Sequence, residues 1–262
     1  MILALAALAL APATSGPAPY PAIAPGRSDC TPSNGRKVET CDRPATCGDA
    51  LCRARAAEQD RDYASSASEF EAVAAAAPAG SPTAARALAA AGNMWIAANQ
   101  PGKAAMALDR ALAGRGLEAD DRGEALLDRA RAAESQGDLK TARAKVQLAV
   151  ESIAADPFLW YFSAALAVRE NNLPEAKIAI ARALKLAPTS PEILFEAGHV
   201  AAAADEPAAA RDYWQRSLAA EPNGPTAGAA RAALAAAEVP LTVTGKVAAR
   251  PDGDGEGGDG PN

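Results

Sequence analysis

The stretch EPAAARDYWQRSLAAEPN (206–223) lays out one amphipathic helix that ends at a proline, and LPEAKIAIARALKLAPTS (173–190) has nearly the same layout. The two fall into step when Ala210 is set on Ala176, Trp214 on Ile180, Ser217 on Ala183 and Pro222 on Pro188, a stride of 34 residues. The match extends backwards. Leu194, Ala197, Gly198 and Ala201 stand where Trp160, Ser163, Ala164 and Ala167 stand one unit earlier. Residues three and four apart share one face of a helix, so each unit reads as a pair of helices.

The pattern continues towards the N-terminus. One further stride of 34 residues reaches Leu126, Ala130, Ala133, Ala142, Val146 and Ala149, and a stride of 38 reaches Leu88, Gly92, Trp95, Ala104, Leu108 and Ala111. A second stride of 38 gives a degenerate first unit with Ala54, Ala57, Ser66, Phe70, Val73 and Pro78. The two longer strides predict longer loops near PAGSP (78–82) and GLEADD (116–121). QGDL (136–139) and ENNL (170–173) read as tight turns between paired helices, and the prolines of ADP (155–157) and EPN (221–223) end the second helices, because proline cannot continue one. TAGAARAALAAAE (226–238) reads as one more helix covering the exposed end, as stacked repeats require.

This spacing resembles the tetratricopeptide repeat, W-x2-L-G-x2-Y…A-x3-F…P over 34 residues. The resemblance covers about 190 residues and predicts an all-α fold: an α-solenoid of about five helix pairs, plus a C-terminal capping helix, over 47–238. Small residues at the eighth position (Gly92, Ala130, Ala164, Gly198) and the twentieth (Ala104, Ala142, Ala176, Ala210) let paired helices approach closely. The large residue four further on (Leu108, Val146, Ile180, Trp214) is expected to fill the gap to the next unit. Trp95, Trp160 and Trp214 are assigned to packing.

Composition agrees with such an array. Of the residues 49% are hydrophobic but only 4% aromatic, and much of the remainder is alanine. Alanine favours helix and buries little area, so the core needs many close helix contacts. A net charge of −6 supplies no concentrated basic face, so no nucleic-acid partner is expected.

The flanks differ. Ile2–Ala11 is an apolar run too short to span a bilayer, so no transmembrane segment is expected in the mature chain. It suits the core of a secretory signal (1–13) with Ala11-Pro12-Ala13 as the cleavage site, although no Lys or Arg precedes it. Residues 14–46 form a Pro/Gly-rich leader and cysteine-containing cap, and 239–262 an acidic Gly-rich tail expected to be disordered. Cys30, Cys41, Cys47 and Cys52 are the only cysteines, an even local set that reads as two disulfides with three possible pairings. Inside one helix Cys47 and Cys52 would point about 140° apart, so either Cys47 precedes the helix or each pairs upstream. A four-thiolate zinc site is the alternative, but no C-x2-C knuckle is present. Together these features point to a periplasmic or secreted protein.

In the family that the chain resembles, the first helix of each pair lines a concave groove that binds peptides or partner helices. By spacing, the groove positions hold Arg55, Glu58 and Gln59, then Arg86 and Asn93, then Glu124, Asp128, Arg131 and Glu134. They end with Phe158, Tyr161, Phe162 and Arg169, then Glu192, Phe195, Glu196 and His199. Charges dominate early and aromatics late. The expected partner-binding set is Phe158, Tyr161, Phe162, Phe195, His199, Arg131 and Arg169, against the plainer reading that some of these rings pack between helices. The family's carboxylate clamp does not carry over, since Leu51, Arg55, Arg86, Ala89, Ala90 and Asn93 at its positions include no lysine.

No P-loop, G-x-S-x-G or H-E-x-x-H occurs, and His199 has no nucleophile motif to serve, so neither catalytic residues, metal ligands nor a cofactor are assigned. Asp252, Asp254, Glu256 and Gly257 match only half of a calcium loop. The reading is a non-enzymatic scaffold for a protein or peptide partner in envelope assembly or secretion. The alternatives are a cytosolic adaptor with an uncleaved N-terminus and reduced or metal-bound cysteines, and an enzyme subunit with a site on the array.

Overall fold

The computed structural model of the chain describes residues 49–238. The signal segment (1–13), the leader with Cys30 and Cys41 (14–46), residues 47–48 with Cys47, and the tail (239–262) lie outside the described residues. Within them are eleven helices and no strand. They run α1 (Ala50–Gln59), α2 (Tyr63–Ala76), α3 (Pro82–Ala97), α4 (Pro101–Leu112), α5 (Ala119–Ser135) and α6 (Leu139–Ile153). Then come α7 (Pro157–Arg169), α8 (Leu173–Leu186), α9 (Pro191–Ala203), α10 (Pro207–Ala220) and α11 (Ala227–Glu238). The expected five pairs and capping helix are all present.

Local chemistry starts and stops these helices. The side chains of Asp49, Asp62, Ser81, Asp138, Asp156, Asn172 and Ser190 each accept a bond from a backbone N–H in the first turn. Pro82, Pro101, Pro157, Pro191 and Pro207 open helices, where the missing N–H costs nothing. Inside every pair the turn is the same device. Arg61, Asn99, Gly137, Asn171 and Asp205 adopt left-handed φ of 59°, 55°, 80°, 56° and 59°. The next residue's N–H then donates back to a helix carbonyl: Asp62 to Ala57, Gln100 to Trp95, Asp138 to Ala133, Asn172 to Ala167 and Glu206 to Ala201, all at 2.8–2.9 Å. These turns recur at the strides of 38, 38, 34 and 34 read from the sequence.

The extra residues of the long strides lie only partly in the loops expected to hold them. They chiefly lengthen the first helices: α3 has 16 residues and α5 has 17, while α7 and α9 have 13 each. Ser81 and Pro82 start α3 early, and Asp120 and Asp121 in the first turn of α5 suit the positive end of a helix. The expected loops are longer as well, 77–81 and 113–118 against 154–156 and 187–190, so PAGSP is loop up to Ser81 and only 119–121 of GLEADD continue as helix.

Pairing depends on the small residues. Ala104, Ala142, Ala176 and Ala210 are 0–1% exposed, as are Ala130 and Ala164. A Cβ built on Gly92 would lie 2.3 Å from Leu108 Cγ, and one on Gly198 would lie 2.2 Å from Trp214 Nε1. At both sites the large residue seats in the notch of its own pair rather than reaching for the next unit. The tryptophans are buried as expected, at 3%, 6% and 6% exposure for Trp95, Trp160 and Trp214. Their indole N–H groups donate to Glu71, Ala154 O and Phe195 O respectively.

Successive helices pack throughout, and across units α3 also packs on α5 and α7 on α9. No even-numbered pair meets to that extent. A stack whose members touch on one side and spread on the other is curved, with the odd-numbered helices inside.

Two glycine substitutions separate notch from propensity. Gly198→Ala is expected to lower stability by about 1–3 kcal/mol through overpacking against Trp214. Gly228→Ala in α11, where an added Cβ meets nothing within 4 Å, should raise it by up to about 1 kcal/mol. Urea denaturation of both variants checks the pair.

Candidate functional site: the inner face of the array

Equivalent positions on successive inner helices form rows across the concave face. One row runs Arg86, Glu124, Phe158, Glu192; the next runs Asp128, Phe162, Glu196; a third runs Arg55, Asn93, Arg131, His199 with Ala165 between the last two. Each row crosses helices at the stride of the repeat, so side chains distant in sequence become neighbours.

The first half of the face is a polar network. Asn93 of α3 donates through Nδ2 to Asp128 Oδ2 at 2.8 Å, and Arg131 donates to Asp128 Oδ1 at 2.8 Å. All three are buried, at 7%, 4% and 5% exposure. A buried carboxylate is tolerated because a guanidinium and an amide satisfy both of its oxygens. One turn further on, Glu134 pairs with Arg169 and ties α5 to α7. Arg131 and Arg169 thus have intramolecular carboxylate partners, which the sequence pattern did not show.

The second half carries rings. Phe158 and Tyr161 stand 4.7 Å apart at a tilt of 51°, both half-buried. Burial, and next the charges of Glu196 and Glu192, push the Tyr161 phenol well above its ordinary value, so it stays a neutral hydroxyl. Phe195 meets His199 edge-on at 4.3 Å, and His199 meets Trp214 edge-on at 5.8 Å. His199 Nδ1 lies 3.6 Å from Glu196 Oε2. Phe162 departs from expectation. At 9% exposure it belongs to the core, turned between helices by the same packing that buries Ala164 and Leu166. Phe158, Tyr161 and Phe195 are the rings left half-buried, Tyr161 and Phe195 with one side against the core.

Glu124 is the residue whose importance spacing alone did not convey. It is half-buried on α5, and burial, followed by Asp121, Asp128, Asp156 and Asp120, raises its carboxyl from 4.5 to about 7. Asp120 and Asp121 stand on the added first turn of α5, so the lengthened helix is what builds this acidic corner. Among the described residues no three His, Cys, Asp or Glu groups converge as metal ligands would. Of the cysteines only Cys52 is described, on α1, two residues into the helix.

No family model matches this chain, and no curated protein matches it in sequence. Solved structures do. A chain of the Cut9–Hcn1 hetero-tetramer of the APC/C superposes with a TM-score of 0.59 at 15% identity, over 71% of this chain and 35% of that one. The thermophilic protein TTC0263 of Thermus thermophilus superposes with a TM-score of 0.54 at 17% identity, over 72% of this chain and 96% of that one. YrrB superposes with a TM-score of 0.51 at 18% identity, over 70% and 90%. TTC0263 and YrrB are described as tetratricopeptide-repeat proteins. The chain has the tetratricopeptide-repeat fold. Within that fold it spans nearly the full length of the two single-chain relatives but about a third of the Cut9–Hcn1 chain. No helix among the described residues of this tetratricopeptide array is long and apolar enough to cross a membrane.

Glu124 sets a pH dependence whose sign follows from its environment. The folded state holds a proton that the unfolded chain releases near 4.5, so stability is expected to fall as pH rises from about 4.5 to about 7 and to level above that. Glu124→Gln should flatten this slope and raise the urea midpoint at pH 8. Denaturation midpoints of both proteins between pH 5 and 8 test it.

Proposed function

We propose that this chain is a non-enzymatic scaffold whose concave face holds an extended segment of a partner protein, in the envelope or outside the cell. The observation that carries the reading is the placement of Phe158, Tyr161 and Phe195 on adjoining inner helices, next to a network of buried charge. Half-buried aromatic rings beside fixed polar groups are the residue types that dominate binding energy at protein interfaces. The fold supports it too: stacked repeats leave an extended inner surface that no element of their own covers. YrrB, similar in fold, is described as having an unusual peptide-binding site.

The envelope assignment rests on the apolar run at 2–11, the Ala11-Pro12-Ala13 site and the four clustered cysteines. Assembly or secretion work is the process in which such a scaffold would serve. Intact mass of the protein purified from its native host tests the compartment. Cleavage near Ala13 with the mass deficit of two disulfides is expected, while an uncleaved chain with free thiols identifies a cytosolic adaptor.

The groove is tested by Tyr161→Ala combined with Phe195→Ala. Crosslinked affinity capture from the native envelope should lose its partner by about tenfold or more, with helicity by circular dichroism unchanged. Equal capture by the double variant removes the aromatic groove as the binding surface.

A further inference from the structure

Arginine holds carboxylates in this molecule through one edge of its guanidinium. Arg53 lays Nε and Nη2 on the two oxygens of Glu69 at 2.9 and 2.8 Å, and Arg143 lays the same two atoms on Glu170 at 3.0 and 2.6 Å. Those two N–H groups run parallel, and their spacing matches a carboxylate. Arg55 on α1 has the same edge, and there Nε and Nη2 are both buried without an acceptor. Leaving buried donors unpaired is costly, and native structures rarely tolerate it. On α2, which packs against α1, Glu69 is committed to Arg53 and Glu71 accepts from Trp95, and α3 contains no Asp or Glu. Glu58, one turn along α1, makes no bond to the edge. Asn93 Oδ1, the row neighbour of Arg55 on α3, is likewise unpartnered and can take one N–H, but a single amide oxygen does not fill a two-pronged edge.

Cys52 stands three residues before Arg55 on the same side of α1 and is disulfide-bonded. The other cysteines, Cys30, Cys41 and Cys47, all precede the helix; Asp29 adjoins Cys30 and Asp42 adjoins Cys41. A disulfide holds two Cα atoms within about 7 Å, and the residue beside a bonded cysteine is one step of about 4 Å further on. An arginine one helical turn away reaches that far. We propose that the segment before α1 (14–48) docks on this helix through the Cys52 disulfide and sets the aspartate beside the bonded cysteine, Asp29 or Asp42, on the Nε–Nη2 edge of Arg55. Both nitrogens are shut off from solvent, which suits a group of the folded chain rather than a partner that comes and goes. The α1 end of the inner face is then occupied by the protein itself, and a partner has the later inner helices. The proposal does not depend on the groove reading above.

Peptide mapping of the full chain without reductant should find Cys52 joined to Cys30 or Cys41. A bond to Cys47, or a free Cys52 thiol, overturns the proposal. Urea unfolding of the oxidised protein then tests the ion pair. Arg55→Gln, and Asp29→Asn or Asp42→Asn at the aspartate the map selects, should each lower the folding equilibrium constant by at least about tenfold, and together by little more than either alone. Glu58→Gln should leave it within about twofold. Additive losses overturn the proposal and leave the edge to a carboxylate from outside the chain. Coupling of Arg55 to Glu58 overturns it in favour of α1 itself, and a midpoint that rises with protein concentration overturns it in favour of a second copy. Capture of the native partner by the Tyr161→Ala with Phe195→Ala variant reads the groove separately.

Discussion

Close approach of two helices within each pair is the contact on which the rest of the molecule depends. Gly92 and Gly198 have no room for a methyl group because Leu108 and Trp214 already occupy it, and Ala130 and Ala164 do the same work with nothing larger than a methyl. A core with 4% aromatic residues has few large side chains to bury. It gains cohesion by bringing backbones near, so that many small contacts replace a few large ones. The left-handed turns at Arg61, Asn99, Gly137, Asn171 and Asp205 set the angle at which each pair closes. Four of the five are not glycine, so packing of the pair holds a backbone conformation those residues do not prefer by themselves.

Curvature follows from where packing is tight. Two inner pairs, α3 with α5 and α7 with α9, meet across units and no outer pair does to the same extent, so the inner rows of side chains converge there while the outer rows fan apart. That convergence is what joins Asn93 to Asp128 across 35 residues and Glu134 to Arg169 across the same number. It also divides the inner face into a polar half, where buried charge is matched by partners from the neighbouring helix, and an aromatic half around Phe158, Tyr161 and Phe195.

The lengthened α5 links fold and site. Its added first turn carries Asp120 and Asp121 and raises the local negative charge around Glu124. A departure from the strict repeat stride thereby changes the electrostatics of the inner face. Repeat architectures allow this because each inner position faces solvent or ligand on one side, and substitutions there leave the notches untouched.

Much of the architecture was legible in the residues, because the contacts that stack helix pairs are local and periodic. Ala104, Ala142, Ala176 and Ala210 recur at the stride that fixes the turns, and a period of 3.6 within each helix identifies the buried stripe. The inner positions could be assigned by the same spacing, as Asp128, Arg131 and Tyr161 show. What spacing could not supply was which inner side chains pair with one another, which turn into the core, and which are left wanting. Phe162 looked like a groove ring and is a core ring, because a rotation of a few tens of degrees about the helix axis separates the two outcomes. Of the residues read as loop before α5, 119–121 are helix, since Asp-rich first turns suit both. The one-dimensional pattern determined the stack of helix pairs. Only the three-dimensional packing of inner helices decided that Asp128 is satisfied and Glu124 is not, because ion pairing depends on distances between units that no periodicity within a unit encodes.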